Sequence, residues 1–181
     1  MLWGGWINPP LQANEIGFSL IDYLETHEIN NYEDFLDVIE SVSPESVDED
    51  PSNVVFFDLE IDYDNMIVST LVMRETTGDR SHGVTDSASK SYYNNNGIKI
   101  FTVNVQGSFS YTTGSCTTTS ASGSFNPAFL SLWTSTPTIS SGNINTRKAY
   151  ARISGTATCG SNSMNYSLTL TCDDSGHTSS Y

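Results

Sequence analysis

Apolar positions along this chain change period partway, and the change divides it. From Ser19 to Glu28 the spacing is helical: Leu20 lies four residues before Leu24, Ile21 three before it, and Ser19 with Asp22 has the form of a capping box. A second helix is predicted over 31–42, with Asn31 as N-cap and Glu33 and Asp34 in the first turn. Tyr32, Phe35, Leu36 and Ile39 would form its apolar stripe, and Pro44 would end it. Residues 43–53 read as an acidic linker, and 1–15, with Trp3, Trp6, Pro9 and Pro10, as irregular.

At Phe57 the period becomes two. Phe57-Asp58-Leu59-Glu60-Ile61-Asp62-Tyr63 alternates apolar with acidic or polar residues, the mark of a half-buried strand, and Asp64-Asn65 turns the chain into a second strand over 66–75. A Gly/Asp/Ser loop is expected over 76–88. Hairpins follow. Lys90–Tyr93 and Ile98–Val105 flank Asn94-Asn95-Asn96-Gly97, and Ser108–Thr112 and Cys116–Phe125 flank Thr113-Gly114-Ser115. After an irregular stretch with Pro127, Trp133 and Pro137, Ala149–Cys159 and Asn165–Cys172 flank Gly160-Ser161-Asn162-Ser163. The inner face of that last hairpin would carry Ala151, Ile153 and Ala157 opposite Tyr166, Leu168 and Leu170. About seven to nine such strands make a mainly β fold, an antiparallel β-sandwich of Ig-like or jelly-roll-like type. The organisation expected is an acidic N-terminal segment with two short helices and a linker over 1–51, then the sandwich over 52–181.

Charge sharpens that division. Residues 1–75 hold seventeen Asp or Glu against Arg74 alone, a net of −16; residues 76–181 hold four acids and six bases, a net of +2, and the whole chain carries −14. Nucleic acids and anionic membrane surfaces select Lys and Arg, so neither is an expected partner; cations or basic proteins are. No apolar run approaches the roughly 20 residues that span a bilayer, so membrane insertion is not expected. The first ten residues have neither the basic nor the apolar region of a signal peptide.

Asp58, Glu60, Asp62 and Asp64 would share one strand face, roughly 6.5–7 Å apart along it. Calcium would relieve their repulsion, although the spacing is not that of a calcium-binding loop. The plainer explanation is a solvated edge strand whose charge blocks sheet-to-sheet association. Asp48, Glu49 and Asp50 form a second acidic cluster, consistent with a linker.

Three cysteines are present, Cys116, Cys159 and Cys172. If Cys159 lies opposite about residue 164 of the last hairpin, Cys172 is roughly 26 Å from it, against the about 7 Å a disulfide allows between Cα atoms. A bridge would therefore include Cys116, with Cys116–Cys172 the pairing expected. Three buried thiols packing as small apolar groups stand as the alternative. His27, His82 and His177 lack metal-ligand spacing, and neither a Gly-x-Ser-x-Gly elbow nor a phosphate-binding loop occurs, so no enzyme is expected. Tyr92, Tyr93 and Trp133 are candidate aromatics for stacking on a sugar or anchoring a protein.

Four runs, Ser89-Lys90-Ser91-Tyr92-Tyr93, Phe101 to Tyr111, Cys116 to Ser122 and Leu168 to Gly176, resemble in order and composition a group of small uncharacterised secreted β-domain proteins of Gram-positive bacteria. The resemblance covers about 85–178 and implies a secreted β domain; it carries no catalytic residues with it. The leading expectation is thus a secreted or cell-surface, non-enzymatic module that binds a protein or carbohydrate ligand. One alternative is a secreted effector or toxin with an acidic pro-region. Another is a calcium-stabilised extracellular module using Asp58, Glu60, Asp62 and Asp64, with no other cofactor expected.

Overall fold

The predicted helices begin where their caps place them. In a computed structural model of the chain, which describes residues 17–47, 50–74 and 82–181, α1 spans Leu20–Thr26 and α2 spans Tyr32–Val42. Ser19 Oγ accepts the Asp22 N–H at 3.2 Å and Asn31 Oδ1 accepts the Asp34 N–H at 2.9 Å, each cap contributing about 1 kcal/mol. Pro44 ends α2 and opens a single 3-10 turn, Pro44–Ser46. The expected irregular segment 1–15, Asp48 and Glu49 of the acidic cluster, and 76–81 of the expected loop lie outside the described residues.

Nine strands follow among the described residues: β1 (Val54–Asp62), β2 (Ile67–Arg74), β3 (Gly83–Asn94), β4 (Lys99–Thr112), β5 (Ser115–Pro127), β6 (Thr138–Asn145), β7 (Lys148–Cys159), β8 (Asn162–Asp173) and β9 (Thr178–Ser180). They form two antiparallel sheets, ordered β1-β2-β3-β4-β5 and β6-β7-β8-β9. The mainly β antiparallel sandwich is therefore what forms. Each sheet is a sequential meander, in place of the crossed connections of Ig-like and jelly-roll folds.

The sandwich core comes from β4 (Phe101, Val103, Val105, Phe109) facing β7 (Ala151, Ile153) and β8 (Leu168, Leu170), all nearly inaccessible to solvent. The opposite face of the five-stranded sheet packs on the helices. Phe35, Leu36 and Ile39 meet Val68 and Val72 of β2, Tyr93 of β3, and Phe57, Leu59 and Ile61 of β1. The Phe35 ring stands edge-on to Tyr93 at 5.2 Å. Over its described part, then, the acidic N-terminal segment forms a layer on the five-stranded sheet.

Three local expectations shift. The loop expected up to residue 88 becomes strand from Gly83, because pairing with β2 on one side and β4 on the other outweighs the weak strand propensity of Gly, Asp and Ser. The β7–β8 register places Cys159 opposite Asn162 and Cys172 opposite Ala149, two residues from the expected pairing. The connection is a two-residue turn at Gly160-Ser161, and an even slip leaves every side chain on its expected face. Strands β6 and β9 were not foreseen from the pattern.

The Asn-Asn-Asn-Gly turn joins the layers. Asn95 accepts the Leu20 N–H through its carbonyl at 2.7 Å and the Ile21 N–H through Oδ1 at 2.9 Å, so this hairpin caps α1. Gly97 has φ 78, and a Cβ there would lie 2.6 Å from Val42 Cγ2. Phe35→Ala should cost about 3–5 kcal/mol in equilibrium denaturation, the range for removing a buried aromatic ring, because α2 then rests on a cavity above β2 and β3.

Candidate functional site

The two sheets do not cover each other fully. Strand β8 lies under β3 and β4, and β7 under β4 and β5. At the β5 side the sandwich is closed: the Cys116 N–H donates to the Thr146 carbonyl at 3.0 Å, and Thr118 Oγ1 to the Tyr150 carbonyl at 2.9 Å. At the other side β1 and β2 overhang the four-stranded sheet, which ends at β9. Beneath the overhang lies a cleft of about 370 Å³.

Its roof is apolar. The β1–β2 register slips between Val54 and Phe56, and around that bulge Val55 and Phe56 are 58% and 44% exposed, beside the buried Met73. Its floor and wall come from β9 and β3. Thr178 Oγ1 donates to the buried Asp86 carboxylate at 2.5 Å, and the buried Ser180 Oγ has no hydrogen-bond partner among the described residues. His177 lines the mouth.

A tight turn positions β9. Asp173 Oδ1 accepts the N–H groups of Ser175 at 2.8 Å and His177 at 3.0 Å, and Asp173 N–H donates to the His177 carbonyl at 3.0 Å. Gly176 within the turn has φ 80, and a Cβ there would collide with the Tyr111 ring. Burial pushes the Asp173 pKa up, but the two backbone N–H groups outweigh it and hold the carboxyl below its ordinary value.

The residues singled out by sequence sit elsewhere. Asp58, Glu60 and Asp62 do share a face of edge strand β1, the face turned away from the helices, whereas Asp64 lies in the following turn. Glu60 pairs with Lys90 at 2.8 Å, Asp62 accepts from Asn65 N–H and Nδ2 at 3.1 and 2.7 Å, and Asp58 accepts the Leu59 N–H. Those Asn65 bonds hold the Asp62 pKa below its ordinary value. Among the described residues no group of three or more His, Cys, Asp or Glu is placed to hold a metal ion.

The expected Cys116–Cys172 disulfide is corrected. The two cysteines do meet in the core, 3.7 Å apart, but as unbonded thiols, both fully buried. Burial, then the Cys116 thiol beside it, pushes the Cys172 pKa far up, which keeps the thiol protonated and unreactive.

Tyr92 and Tyr93 point to opposite faces of β3 and are both buried, Tyr92 in the sandwich core and Tyr93 under α2. Neither offers a ring to a ligand. Trp133 is half-buried against Phe101, ring centroids 5.9 Å apart, and anchors the β5–β6 loop. That loop exposes Phe129, Leu130 and Leu132 at 80–85%. Leu130 holds φ 62, a left-handed conformation costing roughly 1–2 kcal/mol for an L residue. The apolar run Phe129-Leu130-x-Leu132 just after Pro127 was the available signal for this loop. Nothing local marks the cleft, whose walls are more than 80 residues apart in the chain.

No protein-family model matches the chain, and no curated protein or solved structure matches it either.

Two outcomes follow from these geometries. Iodoacetamide on the native protein should label Cys159, the least buried thiol, and leave Cys116 and Cys172 unlabelled until denaturant is added; intact mass counts the adducts. Asp173→Asn should lower the melting temperature at pH 7. A depressed carboxyl pKa contributes stability above its unfolded value, near 3.8, and loses it as pH falls through the folded value. The gap between variant and parent should therefore close below about pH 4.

Proposed function

We propose that this chain is a non-enzymatic binding module whose ligand seats in the cleft between β1 and β9. The observation that carries the reading is the cleft's make-up. An apolar roof of Val55, Phe56 and Met73 stands over the polar strand residues Thr178, Ser179 and Ser180, the mixture that gives binding sites affinity and orientation together. Catalysis is not the reading favoured, since Ser180 Oγ has no base against it and the nearest imidazole, His177, is 82% exposed with Asp173 3.7 Å away.

A protein ligand is favoured over a carbohydrate one, because Tyr92 and Tyr93 are packed inside and Trp133 is half-buried against Phe101. A secreted or cell-surface location is part of the proposal, supported by the Ser/Thr/Asn-rich β composition and the resemblance to secreted β domains. The pro-region alternative is disfavoured: removing the helices would bare Val68, Val72 and Tyr93. The calcium alternative is disfavoured because Glu60 and Asp62 already have partners.

An NMR-detected fragment screen on the full chain tests the reading. Hits should shift the amides of Phe56, Met73, Thr178 and Ser180, and Phe56→Asp should weaken them at least tenfold with little change in melting temperature, since Phe56 is half exposed already. A turnover activity lost on replacing Ser180, His177 or Asp86 by alanine would refute it.

A further inference from the structure

Resting on the cleft as a binding site, we infer that its ligand is an extended, cationic peptide segment of a partner protein, which adds to the four-stranded sheet as a strand beside β9.

The backbone of β9 is set for this. Thr169 and Tyr181 exchange both hydrogen bonds, at 2.9 and 3.1 Å, and Asp173 donates to His177 on the same ladder. Antiparallel ladders alternate with a period of two, so Ser179 belongs with Tyr181 and His177, bonded toward β8. The N–H and C=O groups of Thr178 and Ser180 therefore point the other way, to the side on which β9 has no neighbouring strand among the described residues. The space on that side is the cleft, covered above by the overhanging β1 and β2. The five-stranded sheet thus roofs a strand position beside β9 that no described residue fills.

A strand placed there would pair with the backbone of Thr178 and Ser180 and point alternate side chains at the roof. One position meets Phe56, Val55 and Met73 and calls for an apolar residue. Two residues along β1 from Phe56 stands Asp58, whose carboxylate accepts, among the described residues, only its neighbour's N–H, and this calls for Lys or Arg. Apolar-x-basic is the pattern the roof reads. The same charge disfavours a second copy of this chain, since each copy carries −14. Strand addition draws affinity from main-chain bonds and specificity from alternate side-chain contacts, and both parts are present here.

The test uses the full-length chain, 15N-labelled, with the blocked heptapeptide Thr-Thr-Phe-Thr-Lys-Thr-Thr. Expected results are binding with slowed amide exchange at Thr178 and Ser180, and at least tenfold weaker binding when the peptide amides facing β9 are N-methylated. Replacing the peptide's Lys by Glu should also weaken binding, by a factor that shrinks as salt rises. Ser180→Pro should lose at least tenfold while leaving β8 paired, because the Ser180 N–H points away from it. N-methylated peptide binding as well as the parent would overturn strand addition while leaving the cleft as a site. No shift in any β9 amide would overturn the peptide assignment, with the cleft still judged by its fragment hits. A dimer paired through β9 in sedimentation and NMR would give the edge to a second copy, and would overturn the proposal too.

Discussion

Strand β2 is apolar on both faces, and that character constrains what surrounds it. Val68 and Val72 face one way, Ile67, Leu71 and Met73 the other, so neither side is suited to water. The helices cover the first side completely, leaving Val68 and Val72 at 0% and 1% exposure. The four-stranded sheet reaches only part of the second, and Ile67 and Leu71 remain half-buried. The cleft under β1 and β2 is what that incomplete cover leaves. The helical layer and the open edge are two consequences of one requirement, that the apolar faces of β2 be shielded on both sides.

The acidic front half takes its meaning from the same arrangement. Helices with one apolar stripe must turn their remaining faces to solvent, and there Glu33, Asp37 and Glu40 lie exposed. On β1 the carboxylates occupy the face the overhang leaves uncovered, while Leu59 and Ile61 face α2. Charge on a free edge also discourages unwanted sheet pairing. At β9 the protection is shortness, with three residues and a tight turn before them. The three residues of that edge carry no charged side chain, and the carboxylate that touches them is the buried Asp86 of β3, which accepts from Thr178 Oγ1.

The core shows why composition is a poor guide to sites. Aromatic residues in a polar, Ser/Thr-rich context suggest exposed rings, yet Tyr92 and Tyr93 are adjacent on a strand buried on both faces and so are both interior. Cys116 and Cys172 meet because β5 closes against the four-stranded sheet, and they contribute there as small apolar groups. The residues that do stand out in solvent, Phe129, Leu130 and Leu132, belong to the loop that the half-buried Trp133 anchors behind them.

Much of this molecule was determined by sequence alone. The caps at Ser19 and Asn31, the buried stripe of α2, the alternation of β1, the Asn-rich turn before Gly97, and the inner face of the β7–β8 hairpin all follow from interactions within a few residues. Period and turn chemistry are local, so they can be read locally. Tertiary structure decided that β3 begins at Gly83, that β6 and β9 are strands at all, that the helices share a sheet with β1 to β3, and that Cys116 and Cys172 touch unbonded. It also decided the cleft, where Phe56 and Ser180 approach across 124 positions of chain. These features depend on how far one sheet is displaced over the other. That displacement is set by the summed fit of many side chains distant in sequence, which no short stretch encodes.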